Sequence, residues 1–166
     1  MTSSPLAQAL SAHIGPLAQG CAGRDPQALY AAIDAFARPV LGQRLCTVNR
    51  YDPGAMTVVR QYSSNPDAYP PGGMKHKRGT EWGRQVLQER QLFIGQGVDA
   101  IRQAFDDHAA IASLGLRSVI NVPVVAHGQC LGTVNFLMTA DLIAPEHVAV
   151  ARLAGLLAVP GLLAPA

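Results

Sequence analysis

LRSVINVPVVAHGQCLGTVNFLM, Leu116 to Met138, reads as two strands around a turn, each carrying one asparagine, Asn121 or Asn135, among residues that favour burial. Two registers satisfy the turn. With His127-Gly128 as a two-residue loop, Ala126 pairs with Gln129 and Asn121 lies opposite Val134, so odd positions on one strand share a face with even positions on the other. With Gly128 third in a three-residue loop, left-handed after a type I turn, Val125 pairs with Gln129 and the alternation matches. The second register is the one expected, because it segregates the faces. Ile120, Val122, Val124, Cys130, Gly132, Val134, Phe136 and Met138 then form an apolar side. Val119, Asn121, Pro123, Leu131, Thr133, Asn135 and Leu137 form the other, with Asn121 opposite Thr133 and Asn135 diagonal to both. Burial of the apolar side penalises any one-residue slip.

A second stretch echoes the polar side. TVN occurs at Thr47–Asn49 and again at Thr133–Asn135. If those strands are neighbours, Thr47, Asn49, Asn121, Thr133 and Asn135 form one polar floor. An unpaired buried amide costs roughly 1–3 kcal/mol, so these groups bond either each other and the overlying loops or a ligand and water.

The rest of the chain supplies two helices, a hairpin and a closing helix. Leu6, Leu10, Ile14 and Leu17 mark one face of an N-terminal helix within 1–20. Asp25 is an N-cap and Pro26 suits the first position of a second helix carrying Leu29, Ile33, Phe36 and Val40, limited by Pro39. LCTVNRY (Leu45–Tyr51) and TVVRQYS (Thr57–Ser63) flank a DPGA turn as a hairpin. SNPDAYPPGGMKHKRG is expected to hold no regular structure, for it has three prolines and three glycines in sixteen residues. Thr80 caps a short helix with Trp82, Val86 and Leu87. QLFI is a short strand, Ile101 and Phe105 mark another short helix, and Gly115 is a helix stop. APEHVAVARLAGLLAV is the last helix, ending at Pro160. The expected class is α+β, a twisted antiparallel sheet with both terminal helices on one face.

Composition excludes several functions. With 166 residues, 49% hydrophobic and 14% charged, the chain reads as one folded domain. A net charge of +2 without a basic stripe argues against nucleic acid. Three scattered cysteines, Cys21, Cys46 and Cys130, read as free thiols in a reducing compartment. The N-terminus lacks a secretory pattern, and Leu153–Ala166 is shorter than the roughly 20 apolar residues of a membrane span. A cytoplasmic protein is expected.

Gly115–Phe136, preceded by RGTEWGRQVLQERQLFI (Arg78–Ile94), resembles a GAF domain. The matching positions are Gly79, Gly83, Val86, Gly115, Arg117, Ser118, Val122, Pro123, Gly128, Leu131, Gly132 and Val134, and the likeness spans about residues 25–160 of a single 1–166 domain. The resemblance implies a PAS-related fold with terminal helices on one sheet face and a small-molecule pocket on the other, roofed by the irregular middle. It also implies dimerisation through the terminal helices. The N-K-x-x-F run of cyclic-nucleotide-binding members does not occur, and no cysteine lies in the middle segment where a bilin would attach. The methionine-sulfoxide reductases of the family need a cysteine where this chain has Trp82, so no enzyme and no cofactor are expected.

The candidate ligand residues are therefore Asn49, Asn121, Thr133 and Asn135 on the floor, with Trp82 and Tyr62 as flat stacking partners. Arg78 and Arg84, with Lys75, His76 and Lys77 around a glycine turn, suit a carboxylate or phosphate. Arg117 is a further cation. FDDH (Phe105–His108) offers Asp106, Asp107 and His108, for which helix capping is the simpler role than metal binding. The expected protein is a sensory or regulatory domain binding a polar, anionic small molecule. Its output passes through a homodimer or a protein partner, since no output segment is attached. The alternative is a ligand-free interaction scaffold.

Overall fold

Cap chemistry and periodicity set the two N-terminal helices. The computed structural model describes residues 2–166; Met1, at the head of the 1–20 segment, lies outside the described residues. Helix α1 spans Pro5–Ala22, with the Ser4 hydroxyl accepting from the Ala7 N–H. Its face differs from expectation. Ala9 and Leu17 are buried, whereas Ile14 is 57% exposed. Helix α2 spans Pro26–Leu41; the Asp25 carboxylate accepts from the Gln27 N–H, and Gly42, at φ 63°, ends it two residues beyond Pro39.

The sheet has six antiparallel strands, β1 (Leu45–Asp52), β2 (Thr57–Ser63), β3 (Met74–His76), β4 (Phe93–Gln96), β5 (Ser118–Ala126) and β6 (Gln129–Met138). Their spatial order is β3-β2-β1-β6-β5-β4. Strand β3 corrects the expectation that the proline-glycine stretch holds no regular structure. Its three residues pair with Thr57–Val59 at the sheet edge, where a short strand is tolerated. The roof also contains a π-helical turn, Gly83–Gln88, and two short helices, α3 (Val98–Ala104) and α4 (His108–Ser113). The Thr80 hydroxyl accepts from the Gly83 N–H, as its capping role requires.

The central hairpin corrects the expected loop. Ala126 pairs with Gln129 around His127-Gly128, whose φ angles of 50° and 73° are those of a type I′ turn. A β-bulge then follows, because Val125 pairs with Cys130 but Val124 pairs with Gly132. The extra residue restores the parity that the two-residue loop would have broken. Asn121 consequently faces Asn135 directly, and Thr133 faces Pro123. Both asparagines stay on one side, as expected. Cys130 and Leu131 exchange sides: Cys130 packs with Val58, Trp82, Val86 and Leu87, and Leu131 joins the helix-side core.

The helix-side core holds Leu29, Tyr30, Ile33 and Phe36 of α2 against Cys46, Val48, Ile120, Val122, Val134 and Phe136 of the sheet. Helix α5 (Pro145–Leu157) adds Val150, Ala151 and Ala154. Helical structure does not end at Pro160. It resumes as α6 (Val159–Leu163), with proline at a first-turn position where its missing N–H costs nothing. The joined run Pro145–Leu163 has the length and apolar character to cross a membrane, while its inner face lies against sheet and α2. Gly132 is required by strand approach: a Cβ there would fall inside contact distance of the Asn49 carbonyl oxygen.

Candidate functional site

The two TVN segments meet as antiparallel neighbours, Thr47 opposite Asn135 and Asn49 opposite Thr133. All five polar residues therefore share the face turned from the terminal helices. They are linked by hydrogen bonds. Trp82 Nε1 donates to Asn121 Oδ1 at 2.9 Å, and Asn121 Nδ2 donates to Asn135 Oδ1 at 2.8 Å. Asn135 Nδ2 donates in turn to Thr47 Oγ1 and Thr133 Oγ1, each at 3.1 Å. Asn49 Nδ2 reaches Thr133 Oγ1 at 3.4 Å. These groups are buried except Asn49, which is half-buried. The floor is thus a connected network, and a network in a low-dielectric setting holds its side chains in one arrangement.

Above it lies a cavity of about 70 Å³. A water occupies roughly 10–15 Å³ on this measure, so the space takes a handful of waters or one small molecule. Part of its lining is apolar, formed by Leu45, Ile111, Val119 and Leu137, with Tyr69 packed against them. Another part is charged. Arg60 from β2, Lys75 from β3 and Lys77 beyond it bring three cations, against one carboxylate, Asp107. Lys75 Nζ is 2.7 Å from Asp107 Oδ2, and the Tyr69 hydroxyl donates to the same oxygen at 3.1 Å. Burial opposes the Asp107 charge, yet Lys75 and Tyr69 outweigh it and hold the carboxyl below its usual range. Lys77 joins none of the ion pairs among the described residues. Its ammonium lies 4.7 Å from the centroid of the Trp82 ring, a cation–π arrangement. Burial pushes its pKa down, Lys75 adds to that, and Asp107 and Asp106 oppose it.

Of the expected residues, the structure brings Asn49, Asn121, Asn135 and Trp82 to the cavity wall, keeps Thr133 fully buried as an acceptor beside them and outside the lining, and disperses the others. Tyr62 lies on the opposite face. Its hydroxyl donates to Asp34 Oδ2 of α2 at 3.0 Å, and its ring packs near Tyr30. The reason is a bulge: Val48 pairs with Tyr62 but Asn49 pairs with Arg60, so alternation breaks at Gln61. Arg78 is exposed and donates to the Gly54 carbonyl. Arg84 is exposed between Glu81 and Glu89. Arg117 pairs outward with Asp141. His108 starts α4, half-buried and outside the cavity lining. Asp107 precedes that helix but makes no side-chain cap; its carboxylate is spent on Lys75 and Tyr69 instead.

Arg60 and Tyr69 were missed by sequence reasoning. Lys75 and Lys77 were seen only as a basic run. Their i, i+2 spacing in MKHK was the available signal, since it places both on one side of a strand.

No family model matches the sequence, and no curated protein matches it. The architecture, however, closely parallels solved GAF domains. The GAF domain of an Acinetobacter phosphoenolpyruvate-protein phosphotransferase aligns with TM-score 0.73 at 12% identity, over 96% of this chain and 94% of that one. The corresponding domain from Coxiella burnetii gives 0.74 at 15% identity, over 95% and 94%. The chromophore-binding domain of the bacteriophytochrome RpBphP3 from R. palustris gives 0.70 at 8% identity, over 95% of this chain and 61% of that one. The chain has the GAF fold, an α+β architecture with a six-stranded antiparallel sheet.

Proposed function

We propose that this GAF-fold domain is a sensory or regulatory module that binds a small organic anion with an apolar body. The observation that carries this reading is the charge of the cavity: three lysine or arginine side chains face one carboxylate over a hydrogen-bonded amide floor. Lys77, partnered by a ring and no carboxylate, is the cation best placed to take an incoming anion. The apolar part of the lining, Leu45, Ile111, Val119 and Leu137, would hold the ligand's body. A structural neighbour that is a chromophore-binding domain supports the use of this fold for small molecules.

A melting-temperature screen of small carboxylates and phosphate esters against neutral isosteres, benzoate against benzamide for example, tests this. The anion is expected to stabilise and the amide not to, by about 1.4 kcal/mol at ten-fold saturation. Lys77→Met is expected to weaken the anion about ten-fold, the loss of one charge-assisted contact. Equal response to anion and amide, or to neither across the whole panel, removes the reading. A panel without response leaves the ligand-free scaffold, which the internal bonding of the floor amides favours.

The assembly proposed is a homodimer through the terminal helices, with output through that contact or a protein partner. Ile14 of α1, Leu156 of α5 and Leu163 of α6 are 57%, 68% and 53% exposed, apolar area that a second copy would cover. Sedimentation equilibrium is expected to return twice the 17.5 kDa chain mass. A monomer at every concentration refutes the assembly.

A further inference from the structure

The cavity shares part of its wall with a depression on the surface. Arg60, Tyr69, Gly73, Lys75 and Asp107 line the inner cavity and also a second, shallow depression, whose outer rim is the exposed Ala68, Met74 and Ala110. These five residues form the wall common to the two. Four of them contribute side chains, and these are held by one another. Asp107 Oδ2 takes the bonds from Lys75 and Tyr69, and the Arg60 guanidinium lies 5.0 Å from the Tyr69 ring centroid while donating to the Pro70 carbonyl at 2.8 Å.

Two atoms in this partition are buried without a partner: Asp107 Oδ1 and Arg60 Nε. One is an anionic acceptor and the other a cationic donor. A buried polar atom left unpaired is costly, so a partner for either atom would offset part of what is lost when Lys75 and Tyr69 leave Asp107. Asp107 has also forgone the ordinary role of its position, capping α4. Its carboxylate stands where an external anion would stand, against Lys75 and near Arg60.

We propose that Arg60, Tyr69, Lys75 and Asp107 form a charge-selective gate to the cavity, closed by the Asp107 carboxylate acting as a stand-in for the incoming anion. An arriving oxyanion competes with Asp107 for Lys75, takes up the unpaired Arg60 N–H, and frees the loop between α3 and α4. The proposal rests on the anion-binding reading of the cavity and adds to it the route and the competitor. Because the competitor is an internal carboxylate, removing its charge should ease anion entry, whereas a carboxylate that merely braced the pocket would leave entry unchanged or disrupt it for every solute.

Trp82 reports entry directly, being the sole tryptophan, 6% exposed, and part of the cavity wall. Its fluorescence would be quenched with iodide and with caesium at constant ionic strength, since salt screens charge. Asp107→Asn keeps the shape and removes the charge. It is expected to raise the iodide quenching constant at least three-fold over wild type with little change for caesium. Tyr69→Phe, which deletes only one latch bond, is expected to give a smaller rise of the same selectivity and serves if the first variant folds poorly. Iodide quenching unchanged in both variants overturns the gate, as does an equal rise for caesium, which marks general loosening. Either result with benzoate binding intact leaves the binding reading standing. A panel in which no anion binds overturns that reading and the gate with it.

Discussion

Phe136→Ala is expected to lower the free energy of unfolding by about 4 kcal/mol, the largest single loss in the sheet. Phe136 is fully buried in the C-terminal half of β6, opposite Ile120 on β5 and Cys46 on β1, and it packs into the core shared with α2 and α5. Truncation removes the transfer energy of the ring and leaves a void that a two-sided contact of sheet and helices closes poorly. For a domain whose total stability is about 5–15 kcal/mol, that is a large share. In urea, with a slope of about 2 kcal/mol per molar, the midpoint should fall by about 2 M. A loss below about 2 kcal/mol would mean that the site collapses freely, contradicting the core placement. The side chain points away from the cavity, so affinity for an anion should change less than about two-fold in the folded variant, a difference below about 0.5 kcal/mol.

The adjacent residue tests the other face. Asn135→Leu is expected to cost about 3 kcal/mol, from unpaired buried polar groups rather than from lost volume. Asn135 accepts from Asn121 and donates to both Thr47 and Thr133. Leucine is of similar size but leaves the Asn121 Nδ2 without its acceptor and the Thr47 hydroxyl oxygen without its side-chain donor, while Thr133 keeps only the longer bond from Asn49. Extra apolar burial offsets part of this. At about 2–4 °C per kcal/mol for a chain of this length, the melting temperature should fall by about 10 °C. The double variant Asn121→Leu with Asn135→Leu should lose less than the sum of the single losses, because the first partner is no longer stranded. A single-variant loss within about 1 kcal/mol, or strict additivity in the double, would show that the floor network does not hold the sheet face. Binding should also suffer in Asn135→Leu, unlike Phe136→Ala, since the floor amides turn toward the cavity.

The face assignments that these two variants probe were legible in the sequence, and the register was not. Segregation of Ile120, Val122, Val134 and Phe136 from Asn121, Thr133 and Asn135 is visible as alternation, and the fold keeps it. The loop that connects the strands was misread because two solutions keep that segregation: a three-residue loop, or a two-residue loop with a bulge. The fold uses the second, which shifts the partner of Asn121 from Thr133 to Asn135. The same kind of defect hid half the site. The bulge at Gln61 sends Tyr62 to the helix side while Arg60 stays over the cavity, and the bulge at Leu131 moves Cys130 to the roof side. A bulge is a single inserted residue whose presence depends on twist and on the neighbouring strand, so period-two patterning carries no trace of it.

Residue chemistry by itself determined the class of fold, the helices at both ends and the polar floor, because burial and cap preferences are local and act through spacing. Which cations face that floor was decided only by tertiary structure. Arg60, Tyr69, Lys75 and Asp107 come from four separate places in the chain, and the ones that seemed best from spacing, Arg78, Arg84 and Arg117, found carbonyl or carboxylate partners at the surface. Charged side chains are long and exposed to competing partners, and their direction follows from strand register and loop closure, which long-range pairing sets.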